Sequence, residues 1–152
     1  MKIHFKLGWV KSGKAGAKTF KSQAAYEIFF DYAQRISKFA PCEISGFDLS
    51  KGLKETASKL WICDRGVGAN ILSSEALALK LEKTKDSGDR EILILIGGAD
   101  GFSEQEFNVL KPDLRWSFGP MTLPHELAAV VASEQIYRAF SIIHRLPYHM
   151  GH

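Results

Sequence analysis

Cysteine is nearly absent from this chain: Cys42 and Cys63 are its two thiols in 152 residues. They lie 21 positions apart with no CxxC spacing and no second pair, which argues against a disulfide framework and against zinc. Two small buried apolar side chains are the plainer reading. No apolar run approaches the roughly 18 to 20 residues that span a bilayer, so no membrane segment is expected. The opening Met1-Lys2-Ile3-His4-Phe5 alternates like a strand and lacks a signal-peptide layout. A cytoplasmic protein is therefore expected, with an organelle after transit-peptide removal as the alternative. Repeats, low-complexity tracts and long linkers are missing too, and residues 1–152 read as a single domain.

Acid is missing from both ends. Residues 1–26 hold Lys2, Lys6, Lys11, Lys14, Lys18 and Lys21 without one Asp or Glu, and beyond Glu134 come Arg138 and Arg145 but again no acid. These ends carry eight of the 20 cations and leave twelve against 17 acids, a net of −5, for the middle. A fold that joins the ends would set a basic face on an acidic body, suited to a polyanion such as RNA. Scattered solvated lysines are the alternative. The rest is ordinary for a globular protein with a real core, at 45% apolar and 24% charged residues.

Periodicity divides the chain into alternating strands and helices. A strand over about Lys2–Val10 leads through a Gly/Lys loop to a helix from about Phe20 to Phe39, closed by Pro41. Phe20, Ala24, Ile28, Tyr32 and Ile36 share one face of it, widened by Ala25, Phe29 and Ala33. A second strand near Cys42–Phe47, a short helix near Lys51–Lys59 and a third strand over Leu60–Cys63 follow. The loop Asp64–Asn70 enters a helix over about Ser74–Ser87, with Ser73 as N-cap and Glu75 in the positive first turn. Glu91–Ile96 contains a continuous apolar run, the pattern of a strand buried on both faces. Ser103 and Glu106 make a capping box for a short helix to Leu110, Leu114–Phe118 is the fifth strand, and Pro124–His144 is a long last helix. The expected fold is α/β, a mainly parallel five-stranded sheet with helices on both faces. Apolar residues of the last helix, among them Leu127, Val131, Ile136 and Ile142, cannot share one stripe. That helix therefore lies in the core or, preferred in so small a domain, buries a second face in a partner subunit.

Two loops carry the candidate chemistry. Gly97-Gly98-Ala99-Asp100-Gly101 follows the buried strand at the expected carboxyl edge of the sheet, where open α/β folds bind ligands. It matches neither GxGxxG nor the P-loop, so generic nucleotide binding is not indicated. A ligand lying close to the glycine backbone and a plain strand-to-helix turn stand level. Phe118 to Leu123 is stiff, leads into Pro124, and offers backbone amides and carbonyls that fit an adenine edge; a mere helix entry is the alternative. His125 reads as a capping or packing residue, and Glu134 with Arg138 as an ion pair at i and i+4. His144, His149 and His152 are at most weak adventitious chelators, and no metal is expected.

In this order, Leu95-Ile96-Gly97-Gly98-Ala99-Asp100-Gly101, Met121-Thr122-Leu123-Pro124-His125-Glu126-Leu127, Glu134-Gln135-Ile136-Tyr137-Arg138-Ala139-Phe140-Ser141-Ile142 and Pro147-Tyr148-His149 resemble the ribosomal RNA large subunit methyltransferase H family, of the SPOUT class. The likeness covers essentially the whole chain in length and strand order, and residues 92–149 in motif. It implies a homodimer and a C-terminal deep trefoil knot, a feature that folding rules alone would not suggest. It implies S-adenosylmethionine as cofactor and methylation of N3 of a pseudouridine in 23S rRNA of the assembled ribosome. The cofactor contacts would be Cys63, Gly97, Phe118, Gly119, Pro120, Met121, Thr122 and Leu123. Arg138 would anchor phosphate or base, Tyr148 would pack the base, and His149 would hydrogen-bond the uracil or move a proton.

Two positions depart from the family pattern. Met150 follows Pro147-Tyr148-His149 where Lys or Arg is usual, and Ala129 stands where an arginine is expected. Each removes a cation expected to face RNA. Two further readings follow, a knotted RNA-binding protein impaired in catalysis and a SPOUT methyltransferase with a different RNA target.

Overall fold

Residues 1–11, 13, 15–51 and 58–150 are described in the computed structural model. The apolar run at the middle of the chain becomes the middle of the sheet. Strand β5 (Glu91–Ile96) is buried along its whole length, flanked by β1 (Lys2–Leu7) and β3 (Ser58–Cys63). Outside β1 lies β2 (Cys42–Gly46); outside β3 come β6 (Leu114–Ser117) and the two-residue β4 (Asn70–Ile71). The order is β2-β1-β5-β3-β6-β4, and every pairing is parallel.

Alternation along β5 explains why no polar residue interrupts it. Ile92, Ile94 and Ile96 enter one core with Phe5, Trp61 and Trp116, beneath α1 (Gln23–Ile36), α2 (Ser74–Asp86) and α4 (His125–Ile143). Leu93 and Leu95 enter a second, smaller core with Leu60, Ile62 and Phe107 of α3 (Glu104–Leu110). Each face thus has an apolar partner, as a parallel strand requires. Helices cover both faces as expected, three on one and one on the other.

Six strands replace the expected five. The extra one, β4, pairs Asn70 with Trp116 and Ile71 with Ser117; two exposed residues are too few to show a period of two. Helix α1 is three residues shorter at each end than its apolar pattern. Ser22 caps it by accepting from the Ala25 amide at 3.1 Å, and Phe20 lies before it, packed on Trp9 and Phe29. The buried stripe is Phe29, Ala33 and Ile36, whereas Ile28 is 47% exposed. Of the helix expected over Lys51–Lys59, Lys51 ends a 3-10 turn, Leu49–Lys51, and Ser58 and Lys59 belong to β3; residues 52–57 lie outside the described residues, as do Lys14 and His152.

Helix α4 lies between α1 and α2, so its broad apolar surface is largely used within the chain. Ala129, Ala132 and Ala139 are fully buried there, where small side chains let helices approach. Leu127 remains 44% exposed. Helices α1 and α4 run parallel. At one end the Glu126 carboxylate accepts the Lys21 and Ser22 amides at 2.7 and 2.9 Å; at the other, Phe39 stacks on Phe140 and His144. Consequently Lys21 and Arg145 sit at opposite ends of a helix roughly 27 Å long, and the two acid-free ends do not merge into one face.

On the smaller face, His4 is 9% exposed and joins three strands through polar contacts. Its Nδ1 lies 2.9 Å from Glu91 Oε1 and its Nε2 2.7 Å from Ser45 Oγ. Ser58 Oγ donates to the other Glu91 oxygen at 3.1 Å, and Lys2 Nζ lies 3.2 Å from Glu91. Burial pushes the His4 pKa below its ordinary 6.5, outweighing the pull of Glu91, and Lys6 adds to the depression. Neutral His4 therefore donates from Nδ1–H to Glu91 and accepts the Ser45 hydroxyl at Nε2. A folded-state pKa below the unfolded one means that the folded chain resists protonation. The stability so gained is complete above about pH 6.5 and is lost as pH falls through the folded pKa. Thermal unfolding between about pH 7.5 and 5.5 should show Tm falling in the wild type and a flatter profile in His4→Gln; parallel profiles would remove His4 as the cause.

Candidate active site

The carboxyl ends of β3, β5 and β6 open into a cavity of about 420 Å³. Its walls come from Cys63–Gly66 after β3, Ile96–Phe102 after β5, Phe118, Gly119 and Met121–Leu123 after β6, and His125 and Ala128 of α4. This is the edge at which parallel sheets bind ligands, and the volume suits one nucleoside-sized molecule.

Each wall is held from behind. Asp64 Oδ2 accepts from Arg115 Nε and Nη2 at 3.0 and 2.7 Å, and its other oxygen accepts the Gly66 amide at 3.1 Å. Arg115 also reaches Glu104 at 3.2 Å and lies 3.9 Å over the Phe107 ring, which ties the β3 loop to α3. Ser103 and Glu106 form the capping box that starts α3 immediately after the glycine loop. At Gly97 an added Cβ would come within 3.0 Å of the Phe102 ring and 3.2 Å of Gly101 Cα. That glycine is thus required by the tight turn itself. Gly119 has φ +109°, a conformation that disfavours side chains, and the space where its Cβ would point is open. Burial pushes the Cys63 thiol pKa well above its usual range, so this residue of the cavity wall stays a neutral thiol. Cys42, away from the cavity, is likewise pushed up to about 12 by burial.

The tail forms a second cluster. Arg138 donates from Nε and Nη2 to Glu134 Oε1 at 3.0 and 2.6 Å, and its Nη1 lies 3.1 Å from His149 Nδ1. His149 Nε2 lies 2.8 Å from Glu75 Oε1. Tyr148 donates to Glu134 at 3.0 Å, accepts from Tyr32 at 3.1 Å, and lies under the Arg138 guanidinium at 4.8 Å. Burial first, then the Tyr32 and Glu134 contacts, pushes the Tyr148 hydroxyl above its ordinary pKa.

Seven of the residues singled out from sequence line the cavity: Cys63, Gly97, Phe118, Gly119, Met121, Thr122 and Leu123. Pro120 is exposed beside it. Arg138, Tyr148 and His149 meet one another but not the cavity wall of their own chain. Sequence reasoning missed Arg115 and Glu126, whose partners are 51 and 105 positions away. His125 packs edge-on against Trp9 at 4.6 Å, a packing histidine as read. Ala129 is fully buried, so the missing arginine there is a difference in helix packing and does not strip a cation from an RNA-facing surface; Met150 is 67% exposed. Among the described residues, no group of three or more His, Cys, Asp or Glu could hold a metal ion, and no helix is long and apolar enough to cross a membrane.

A family model described as "Predicted SPOUT methyltransferase" matches residues 15–149, and the chain belongs to that family. Within it, the chain is similar to proteins named ribosomal RNA large subunit methyltransferase H. The one from Psychrobacter sp. (strain PRwf-1) is 46% identical over 93 residues, 61% of this chain and 54% of that protein. The one from Magnetococcus marinus is 38% identical over 120 residues, 76% and 73% of the two chains; that from Xylella fastidiosa (strain M12) is 34% identical over 140 residues, 81% and 87%. The chain thus spans about half the length of the Psychrobacter relatives it matches. Among solved structures, a probable methylase family protein from Haemophilus influenzae Rd KW20 aligns with a TM-score of 0.53 over 94% of this chain and 66% of that one, at 10% identity. That likeness is one of fold.

The contact at Gly97 makes a direct test of the turn. Gly97→Ala should destabilise the fold by about 1–3 kcal/mol in urea unfolding, because the methyl must displace Phe102. Adding Phe102→Leu should recover part of the loss; full additivity of the two changes would show that the clash lies elsewhere.

Proposed function

We propose that this chain is an S-adenosylmethionine-dependent methyltransferase of 23S ribosomal RNA, methylating N3 of a pseudouridine in the assembled ribosome. One observation carries the reading: the glycine loop and the loop after β6, distant in sequence, share a single cavity with Cys63 at the carboxyl edge of the sheet. Family membership adds the reaction class, and the ribosomal substrate follows from the names of the relatives. The cavity fits the cofactor in volume, and its loops supply backbone donors and acceptors for an adenine edge and little fixed charge besides Asp64, Arg65 and Asp100. When bound, the cofactor supplies a methyl group on a sulfonium.

The residues of the chain then have two tasks, alignment and proton removal. Gly119 leaves open space where a side chain would intrude, and Cys63, kept as a thiol, does not compete as a nucleophile for the methyl. Arg138, Tyr148 and His149 are the groups proposed to meet the target base. Their separation from the cavity of their own chain supports a homodimer in which one protomer's tail faces its partner's cavity. The C-terminal trefoil knot, action as one domain and a cytoplasmic location belong to the same proposal.

Calorimetry should show one S-adenosylmethionine site per occupied cavity, and tritium from the labelled cofactor should enter 23S rRNA of ribosomes lacking the modification. Cofactor binding without any transfer to ribosomes would instead favour the impaired RNA binder or another RNA target. His149→Ala should lower kcat on the order of 10²-fold or more with cofactor affinity nearly unchanged; equal losses in both would make the tail a structural lid.

A further inference from the structure

The segment between β1 and α1 has a surface that the cofactor cavity does not use. Lys11, Lys18 and Lys21 are exposed, and none of them takes part in a salt bridge among the described residues. No acid occurs before Glu27. The segment is fastened at both ends. Trp9 donates from its indole nitrogen to the Thr19 carbonyl at 2.9 Å, and Thr19 Oγ1 donates to the Gly16 carbonyl at 2.6 Å, closing the turn Ala17–Thr19. The Lys21 and Ser22 amides are held by Glu126.

The same anchors place the lysines beside the cavity. Trp9 packs on His125 at 4.6 Å and lies 3.8 Å from where a Cβ of Gly98 would stand; His125 and Gly98 both line the cavity. Glu126, the acid nearest Lys21, is buried, and both its oxygens are engaged by backbone amides. Those two bonds leave neither carboxylate oxygen free to pair with a lysine ammonium, although Glu126 lies within the field of Lys21. Arg138 has its guanidinium committed to Glu134 and His149, and Arg145 lies beyond the far end of α4. Besides Arg65 in the cavity wall itself, free positive charge near the cavity among the described residues is supplied by the N-terminal segment. Lysines grip phosphate as point charges without reading sequence, which suits the backbone flanking a base that must enter a pocket.

We propose that Lys18 and Lys21, with Lys11 behind them, form a phosphate-docking strip for the RNA strand on either side of the target nucleotide. The proposal rests on the RNA-methyltransferase reading above. Asp48 shares the field of Lys11 and the buried Glu126 that of Lys21; the test takes Lys18 and Lys21 together, the two nearest the Glu126 anchor.

The experiment is fluorescence anisotropy of a labelled 23S rRNA stem-loop titrated with the full chain at several salt concentrations. Lys18→Gln/Lys21→Gln should bind about tenfold more weakly near physiological salt, and the slope of log affinity against log salt should fall by about 1.4 to 1.8, the loss of two phosphate contacts. S-adenosylmethionine affinity should stay unchanged, showing that the cavity remains intact. Lys83→Gln/Lys85→Gln, on an exposed part of α2, should leave the slope nearly as it is. Unchanged affinity and slope in the first variant, an equal loss in the second, or no RNA binding by the wild type would each overturn the strip. Wild-type binding through the strip with no methyl transfer to any ribosomal RNA would overturn the function reading alone.

Discussion

Burial of β5 on both faces is the constraint from which the rest of the molecule follows. A strand with apolar partners above and below can end only where the chain turns away sharply, and here it turns at Gly97 with Phe102 packed against the turn. The end of β1 is tied to the same point, since the Gly8 amide donates to the Ile96 carbonyl at 2.7 Å. That bond sets Trp9 over the glycine loop, Trp9 supports His125, and Glu126, one residue on, fixes the start of α1. Sheet, cavity and two helix starts are thus positioned by one short series of contacts. A methylene lost from Ile94 or Leu95 would be felt at the cavity as well as in the core, because close-packed interiors transmit strain.

Several charged groups of this molecule fasten one part of the chain to another. Asp64 and Arg115 hold a loop, Glu126 holds a helix entry, His4 and Glu91 tie strands, and Glu134 with Arg138 holds the tail. Among the described residues no buried side-chain nitrogen or oxygen lacks a partner. Such satisfied pairs contribute more to a fixed geometry than to net stability, since desolvation offsets much of their attraction. A fixed geometry is what in-line transfer between two bound molecules needs.

Where local chemistry sets a boundary, the sequence was legible. β5 has the limits its apolar run predicts, α2 starts at the Ser73 cap, and α3 starts at the Ser103–Glu106 box. Where the cause lies far along the chain, it was not. β4 exists because Asn70 and Ile71 reach the edge of β6, the α1 stripe is chosen by what α4 offers, and Arg115 matters through Asp64. The charge imbalance was plain in the sequence, but its geometry depended on α1 and α4 running parallel, which no pattern within either helix reveals. Ala129 shows the same limit. Read as a missing surface cation, it is a fully buried helix contact.

The tail illustrates how position and protonation are linked. Arg138 can only donate, so its Nη1 at 3.1 Å requires a lone pair on His149 Nδ1, and the ring proton then sits on Nε2, facing Glu75 at 2.8 Å. The tautomer is set by one group from α4 and one from the first turn of α2. His149 cannot accept a proton at Nδ1 while Arg138 points at it. The ring is therefore fixed by geometry, through side chains that tie Tyr148 and the chain end to two helices.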